Sequence, residues 1–168
     1  MTRRVAAGLG LVGSAATAVM GFWPSQLVLE VSPVGAGRPA LCARMRAGEE
    51  VVLSFTHSVN RRPVYDTIRV ASDRLTVVRS RFDAFGAGMP EASTNEGTLR
   101  VEADGWLEWT IHREMAEVVI RVGWVAQHTL HLKGREVALT DLALPGTALA
   151  LRPRAYSWFD LWKGRCVR

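Results

Sequence analysis

His57, Ser58 and Asp66 are the residues of this 168-residue chain whose types and spacing come nearest to a reacting centre. An imidazole beside a carboxylate is held in one tautomer and titrates near neutrality, and a neighbouring hydroxyl completes the set used in nucleophilic hydrolysis. In the run Val51–His57 the apolar Val51, Leu53 and Phe55 share one face, and strand parity turns His57 the same way. In Val64–Ala71 the apolar face is Val64, Ile68 and Val70, and Asp66 falls among them. The link Asn60-Arg61-Arg62-Pro63 predicts a tight hairpin that sets His57 directly opposite Asp66. An inward carboxylate costs free energy unless it is paired. Two readings follow: a structural polar pair, or a ligand or cation site at the mouth of the β structure.

A hydrolase is the weakest reading of the same residues. Ser58 follows His57 directly, so its hydroxyl points to the opposite face, and no G-x-S-x-G elbow occurs. His128 and His131 are three apart on an expected strand and face opposite sides, so they supply neither a metal triad nor a catalytic one. The chain is therefore read as non-enzymatic, with no cofactor and no metal. A second stretch, Phe85-Gly86-Ala87-Gly88-Met89-Pro90, permits positive φ angles, so it can turn sharply between sheets or aim backbone N–H groups at an anion. No helix follows it, which excludes a dinucleotide fingerprint. The candidate ligand- or partner-contact residues are His57, Ser58, Pro63, Asp66, Gly86, Gly88 and Pro90.

The elements that must position these residues read as strands. From Leu27 onward, period-two alternation recurs in Leu27–Ser32, Ala40–Arg46, Val51–His57, Val64–Ala71, Arg74–Phe82, Thr98–Glu102, Trp106–His112, Met115–Val122, Thr129–Lys133, Arg135–Thr140 and Ala148–Arg152. Between them stand turn residues such as Ala47-Gly48-Glu49, Ala103-Asp104-Gly105, Lys133-Gly134 and Pro145-Gly146. The expected fold is all-β, an antiparallel sandwich or barrel of roughly 8–11 short strands joined mostly as hairpins.

Ahead of this body, Arg3 and Arg4 precede a stretch from Val5 to Trp23 without a charged residue, and Pro24 interrupts any helix built on it. Residues 1–26 are expected to be a signal peptide, cut at the A-x-A-like Ala16-Thr17-Ala18, or a single-pass anchor helix. Either places residues 27–152 as one β domain in the periplasm, free or anchored to the inner membrane. Cys42 and Cys166 are a candidate disulfide in that oxidising compartment, the other reading being a core residue and a free tail thiol.

Removing Arg3 and Arg4 takes two charges off a formal net charge of +5, and the remaining cations are scattered singly, so nucleic acid is not an expected partner. Residues 153–168 form an aromatic, basic tail in which Tyr156, Trp158, Phe159, Leu161 and Trp162 stand among Arg154, Lys163, Arg165 and Arg168. That tail either closes one end of the β structure or rests on a membrane surface or a partner.

The stretches Phe55-Thr56-His57-Ser58-Val59, Pro63-Val64-Tyr65-Asp66 and Phe85-Gly86-Ala87-Gly88-Met89-Pro90 resemble, in order and spacing, the bacterial family called domain of unknown function 1850. One departure is Asp66, where the family pattern more often carries Glu. The resemblance implies an accessory protein of the TAXI class of tripartite ATP-independent periplasmic transporters. Its partner would be the membrane subunit or the solute receptor. The alternative is a stand-alone small-ligand or cation-binding β domain.

Overall fold

The computed structural model describes residues 22–162. Eleven strands run through them: β1 (Gln26–Pro33), β2 (Leu41–Arg44), β3 (Glu50–Thr56), β4 (Pro63–Val70), β5 (Leu75–Phe82), β6 (Gly97–Val101), β7 (Leu107–Met115), β8 (Val118–Arg121), β9 (Thr129–Leu132), β10 (Arg135–Ala138) and β11 (Ala148–Tyr156). A 3-10 turn spans Leu139–Asp141, and one short helix, α1 (Trp158–Trp162), follows β11. Each expected strand is present, most with ends moved by one to three residues.

Two antiparallel sheets pack face to face, one of four strands in the order β2-β1-β11-β8 and one of seven in the order β10-β9-β3-β4-β5-β7-β6. The fold is an all-β sandwich. Hairpins are fewer than expected, because β1 takes β11 as its partner over eight residue pairs, from Gln26 opposite Tyr156 to Pro33 opposite Leu149. The chain also returns to β5 with β7 and leaves β6 outside it. Strand β11 continues past Arg152 to Tyr156, so the stretch expected to begin the tail is sheet. Pro153 is tolerated there because the pairing of β11 with β8 stops at Leu151, leaving an open edge where a missing N–H is harmless.

The core follows the alternation. Leu29, Val31, Leu149 and Leu151 from one sheet meet Val51, Leu53, Ile68, Val70, Leu75 and Leu130 from the other, all at 5% exposure or less. A second, smaller cluster of Val64, Phe82, Leu107 and Trp109 is covered by Met89 from the 83–96 loop. Gly97 closes that loop against β7, where a Cβ would come within 2.5 Å of the Thr110 carbonyl and 2.8 Å of the Trp109 ring.

The strand directions give the sandwich two unlike ends. The loops 57–62, 83–96 and 123–128 gather at one, here called the loop end. The short connections 71–74 and 133–134 lie at the other, the turn end, together with residues 22–25 and α1. No helix among the described residues is long and apolar enough to cross a membrane. The expected leader and its A-x-A-like site fall almost wholly outside the described residues, as does Cys166; Cys42 is buried and its thiol is not free.

Candidate functional site

The hairpin between β3 and β4 is centred on Val59-Asn60, two residues before the Arg61-Arg62 centre that a direct His57–Asp66 pairing requires, which moves the partner of Asp66 four positions back along β3. Leu53 stands opposite Asp66, and the His57 backbone pairs with Arg62 instead, its N–H donating to the Arg62 carbonyl at 2.9 Å. His57 lies four positions from Leu53 along β3, roughly 13 Å at strand rise, so the expected His57–Asp66 neighbourhood is not formed. The cause is the turn's own bonding. His57 Nδ1 accepts from the Val59 N–H at 3.3 Å and the Asn60 N–H at 3.5 Å, and Arg61 takes a left-handed φ of 54°. Pro63, which needs no N–H partner, then opens β4 rather than sitting in the turn.

What His57 does meet is the 83–96 loop. Asn60 donates from Nδ2 to the Phe85 carbonyl at 3.0 Å and to the Ala84 carbonyl at 3.4 Å, while its Oδ1 accepts the Arg62 N–H at 3.1 Å. Arg62 reaches across as well, forming a bidentate ion pair with Asp83. Gly86 lies so close that a Cβ there would stand 2.7 Å from Asn60 Nδ2 and 3.3 Å from His57 Cε1. The two glycines therefore have different tasks. Gly86 permits the approach, and Gly88, at φ 81°, is the left-handed residue of a turn closed by the Met89 N–H on the Gly86 carbonyl at 2.9 Å.

The 123–128 loop joins them through the Thr56 N–H, which donates to the Ala126 carbonyl at 2.7 Å. His128, just ahead of β9, packs its ring 5.7 Å from that of Phe55. Its buried Nδ1 has no hydrogen-bond partner, and burial holds the ring's pKa below the ordinary histidine value. At this end the three loops expose Val59, Phe85, Trp124 and Val125, each at 48% or more, and Ser58 is exposed as well. Pro90 is half-buried in the same loop as Met89. Sequence reasoning treated Asn60 only as a turn residue; a lone asparagine in a loop carries no signal that it will bridge to a second one.

Asp66 is inward, as parity requires, and sits apart from this assembly. Burial pushes its carboxyl up, opposed by a hydrogen bond with Ser80 and by the charge of Arg113. Ser80 is its cross-strand partner on β5.

The chemistry available at His57 is limited. With Nδ1 turned onto the backbone of its own hairpin, the neutral ring carries its proton on Nε2 and offers a donor rather than a base. On the outer face of the larger sheet, Ser54 Oγ lies 2.7 Å from His131 Nε2, and His131 Nδ1 lies 3.4 Å from Glu136 Oε1. The order of that row matches a hydrolytic triad. But β3 is paired on both sides, so the N–H groups around Ser54 lie in the sheet plane and are committed to the ladder. A backbone oxyanion hole, the donor pair that acyl transfer needs beside its nucleophile, is absent there. Among the described residues no three histidine, cysteine or acidic side chains are placed to hold a metal ion.

Comparison with known families finds a match to the model described as Domain of unknown function (DUF1850) over residues 51–139, which takes in the hairpin, the glycine loop and the 123–128 loop. No curated protein and no solved structure matches.

Proposed function

This chain belongs to the Domain of unknown function (DUF1850) family, and from that premise we propose that it is a non-enzymatic accessory protein whose loop end binds a partner protein. The observation that carries the reading is the latch between the hairpin and the glycine loop. Asn60 and Arg62 spend polar groups on the neighbouring loop, which fixes Val59 and Phe85 in place, and the 123–128 loop, bonded to Thr56 of β3, exposes Trp124 and Val125 at the same end. Large exposed apolar side chains on loops tied down by hydrogen bonds are the composition of an interface, with aromatic anchors and little ordering entropy left to lose. The partner proposed from the family resemblance is the membrane subunit or the solute receptor of a TAXI-type tripartite transporter. The place of action proposed with it is the periplasm or the periplasmic face of the inner membrane, reached through the cationic and apolar start of the chain.

The test is direct binding of the full chain to the purified solute receptor and to the membrane subunit in nanodiscs. Trp124→Glu and Phe85→Glu are expected to weaken the complex tenfold or more while leaving the thermal transition in place. Trp162→Glu, at the turn end, is expected to leave it unchanged. Undiminished binding by both loop-end variants would refute the assignment of the surface, and absence of binding to either component would refute the assignment of the partner.

A further inference from the structure

The two sheets are of unequal width, and the excess lies on one side. The core they share takes buried side chains from β9, β3, β4 and β5 of the larger sheet, and none from β7 or β6 among the described residues. Those last two strands therefore extend past β8, the edge strand of the smaller sheet. Towards the loop end their inner face is covered by Met89 of the 83–96 loop. Towards the turn end, Arg113 of β7 pairs with Val77, which packs on the core, so Arg113 lies on the inner face, and yet it is exposed. Met115, paired with the core residue Leu75, is only half-buried on the same face.

The edge of β8 that overlooks this strip is open. The Val122 N–H donates to the Thr147 carbonyl at 2.9 Å, and the Val122 carbonyl accepts from the Gly146 N–H at 2.7 Å. Alternation then turns the backbone groups of Val118 and Ile120 to β11 and those of Val119 and Arg121 outward. Among the described residues nothing bonds these outward groups. Arg121 folds its side chain away, onto the Gly146 carbonyl at 2.8 Å, and Val119 is 52% exposed. The far edge of the larger sheet is treated differently: Ser93 Oγ accepts the Leu99 N–H at 2.9 Å, and Thr94 and Gly97 exchange bonds at 2.9 and 3.3 Å, so β6 is closed by its own loop. An edge left open offers its ladder to an added strand.

Charge and shape name what fits. Arg113 lies in the strip and Arg121 on the strand beside it, while Asp66 acts on Arg113 only through space and Glu117, just before β8, is bonded to Arg152. A second copy does not fit by joining β8 to β8 in one sheet, because the overhanging strands of the two larger sheets would occupy the same space. We propose that β8 accepts an extended segment of a partner protein as a fifth strand of the smaller sheet. The segment bonds the outward groups of Val119 and Arg121 and lays every second side chain on β7, apolar ones near Met115 and a carboxylate against Arg113. This rests on the reading of the chain as a partner-binding protein, since β8 runs straight into the 123–128 loop.

The probe is the synthetic peptide Thr-Val-Thr-Glu-Thr-Val-Thr, titrated into the full chain in detergent micelles, with amide exchange followed residue by residue by NMR. In the chain alone the Val119 and Arg121 amides are expected to exchange freely, while those of Ile120 and Val122 are protected by β11. Saturating peptide is expected to slow the first two about tenfold, with a Kd below about 1 mM. The same peptide with Lys for Glu is expected to bind about tenfold more weakly, and Arg113→Ala to level the two peptides. Val119→Pro removes only an outward N–H and is expected to abolish binding with the thermal transition in place. Should it fail to fold, peptides N-methylated on alternate residues serve instead: one of the two sets is expected to lose binding and the other to keep it, since a strand offers one edge to β8. Trp124→Glu is expected to leave peptide binding unchanged, so failure here and failure of the loop-end assignment are read apart. Protection of Val119 and Arg121 without peptide would show the edge already covered and would overturn the proposal. So would the absence of peptide-induced protection, equal binding of the Glu and Lys peptides to the parent chain, or equal binding of the two methylated sets.

Discussion

Asn60 fastens the loop end through three hydrogen bonds to backbone groups, with the Arg62–Asp83 ion pair beside them, whereas the turn end has side-chain ion pairs without such a backbone-bonded side chain: Lys133 with Glu49, and Arg74 with both Asp73 and Glu114. The first arrangement satisfies amides and carbonyls that a long loop would otherwise leave unpaired. The second joins long, exposed side chains that water and salt screen. The lengths of the connections match this division. The 83–96 loop has fourteen residues to order, and the 133–134 turn has two. A long loop needs fixed internal contacts to hold a shape, so geometry is invested at the end that presents Val59, Phe85 and Trp124. The turn end needs little beyond its strand register to stay closed.

The sharpest way to break the contrast is at the contact between Asn60 and Gly86. Asn60→Ala removes all three bonds and is expected to cost about 1–2 kcal/mol. Gly86→Ala places a methyl 2.7 Å from Asn60 Nδ2, closer than the two atoms can pack, and is expected to cost a similar amount by displacing the same amide. The pair should be strongly non-additive. Once Asn60 is gone the new methyl has room, so the double variant is expected to be little worse than Asn60→Ala alone, a coupling of about 1 kcal/mol. Urea denaturation of the four proteins measures this, and simple additivity would mean that the latch is not what Gly86 serves.

That latch also marks where sequence reading stopped. The strands themselves were legible, because Val51, Leu53 and Phe55 alternate with Val52 and Ser54, and turn residues such as Lys133-Gly134 punctuate the segments. Inward orientation of Asp66 and the opposite faces of His128 and His131 followed from the same parity. Register did not. It depends on where the hairpin turns, and that was decided by the His57 ring accepting from its own turn and by Arg61 adopting a positive φ, neither of which leaves a mark in the alternation. The partnership of β1 with β11 was equally hidden. The Tyr156 hydroxyl donates to Glu30 across 126 residues, and no local pattern encodes such a contact.

Asp66 offers a smaller and pH-dependent test, since it is the inward carboxylate that neither end uses. Its folded pKa is raised, chiefly by burial, so the folded protein holds this proton more tightly than the unfolded chain does. Stability must then fall as pH rises from the ordinary aspartate value through the raised one. Asp66→Asn keeps a polar group for Ser80 and has no charge to bury. It is expected to raise Tm by a few degrees near neutrality, with the advantage gone below about pH 3, where the parent carboxyl is protonated in both states. Thermal melts across that range would read it. A variant less stable than the parent at neutral pH would show that the charge of Arg113 outweighs the burial.

The least effect is expected at the turn end, from Lys133→Ala. Its hydrogen bond is the main cause that lowers the Glu49 pKa, so the pair's contribution is present above the ordinary glutamate value and is lost as pH falls through the lowered one. Because both side chains are partly exposed, the loss near neutrality is expected to be below about 0.5 kcal/mol. It should shrink further at about 1 M salt, where charges more than a few ångströms apart no longer sense each other. The cost of Asn60→Ala, which rests on hydrogen bonds between uncharged groups, should be indifferent to the same salt. Urea titrations of both variants at low and high ionic strength, at neutral and acid pH, set the two ends side by side. If Lys133→Ala cost as much as Asn60→Ala, or if salt moved both alike, the division of the sandwich into a geometrically fixed end and an electrostatically dressed one would not stand.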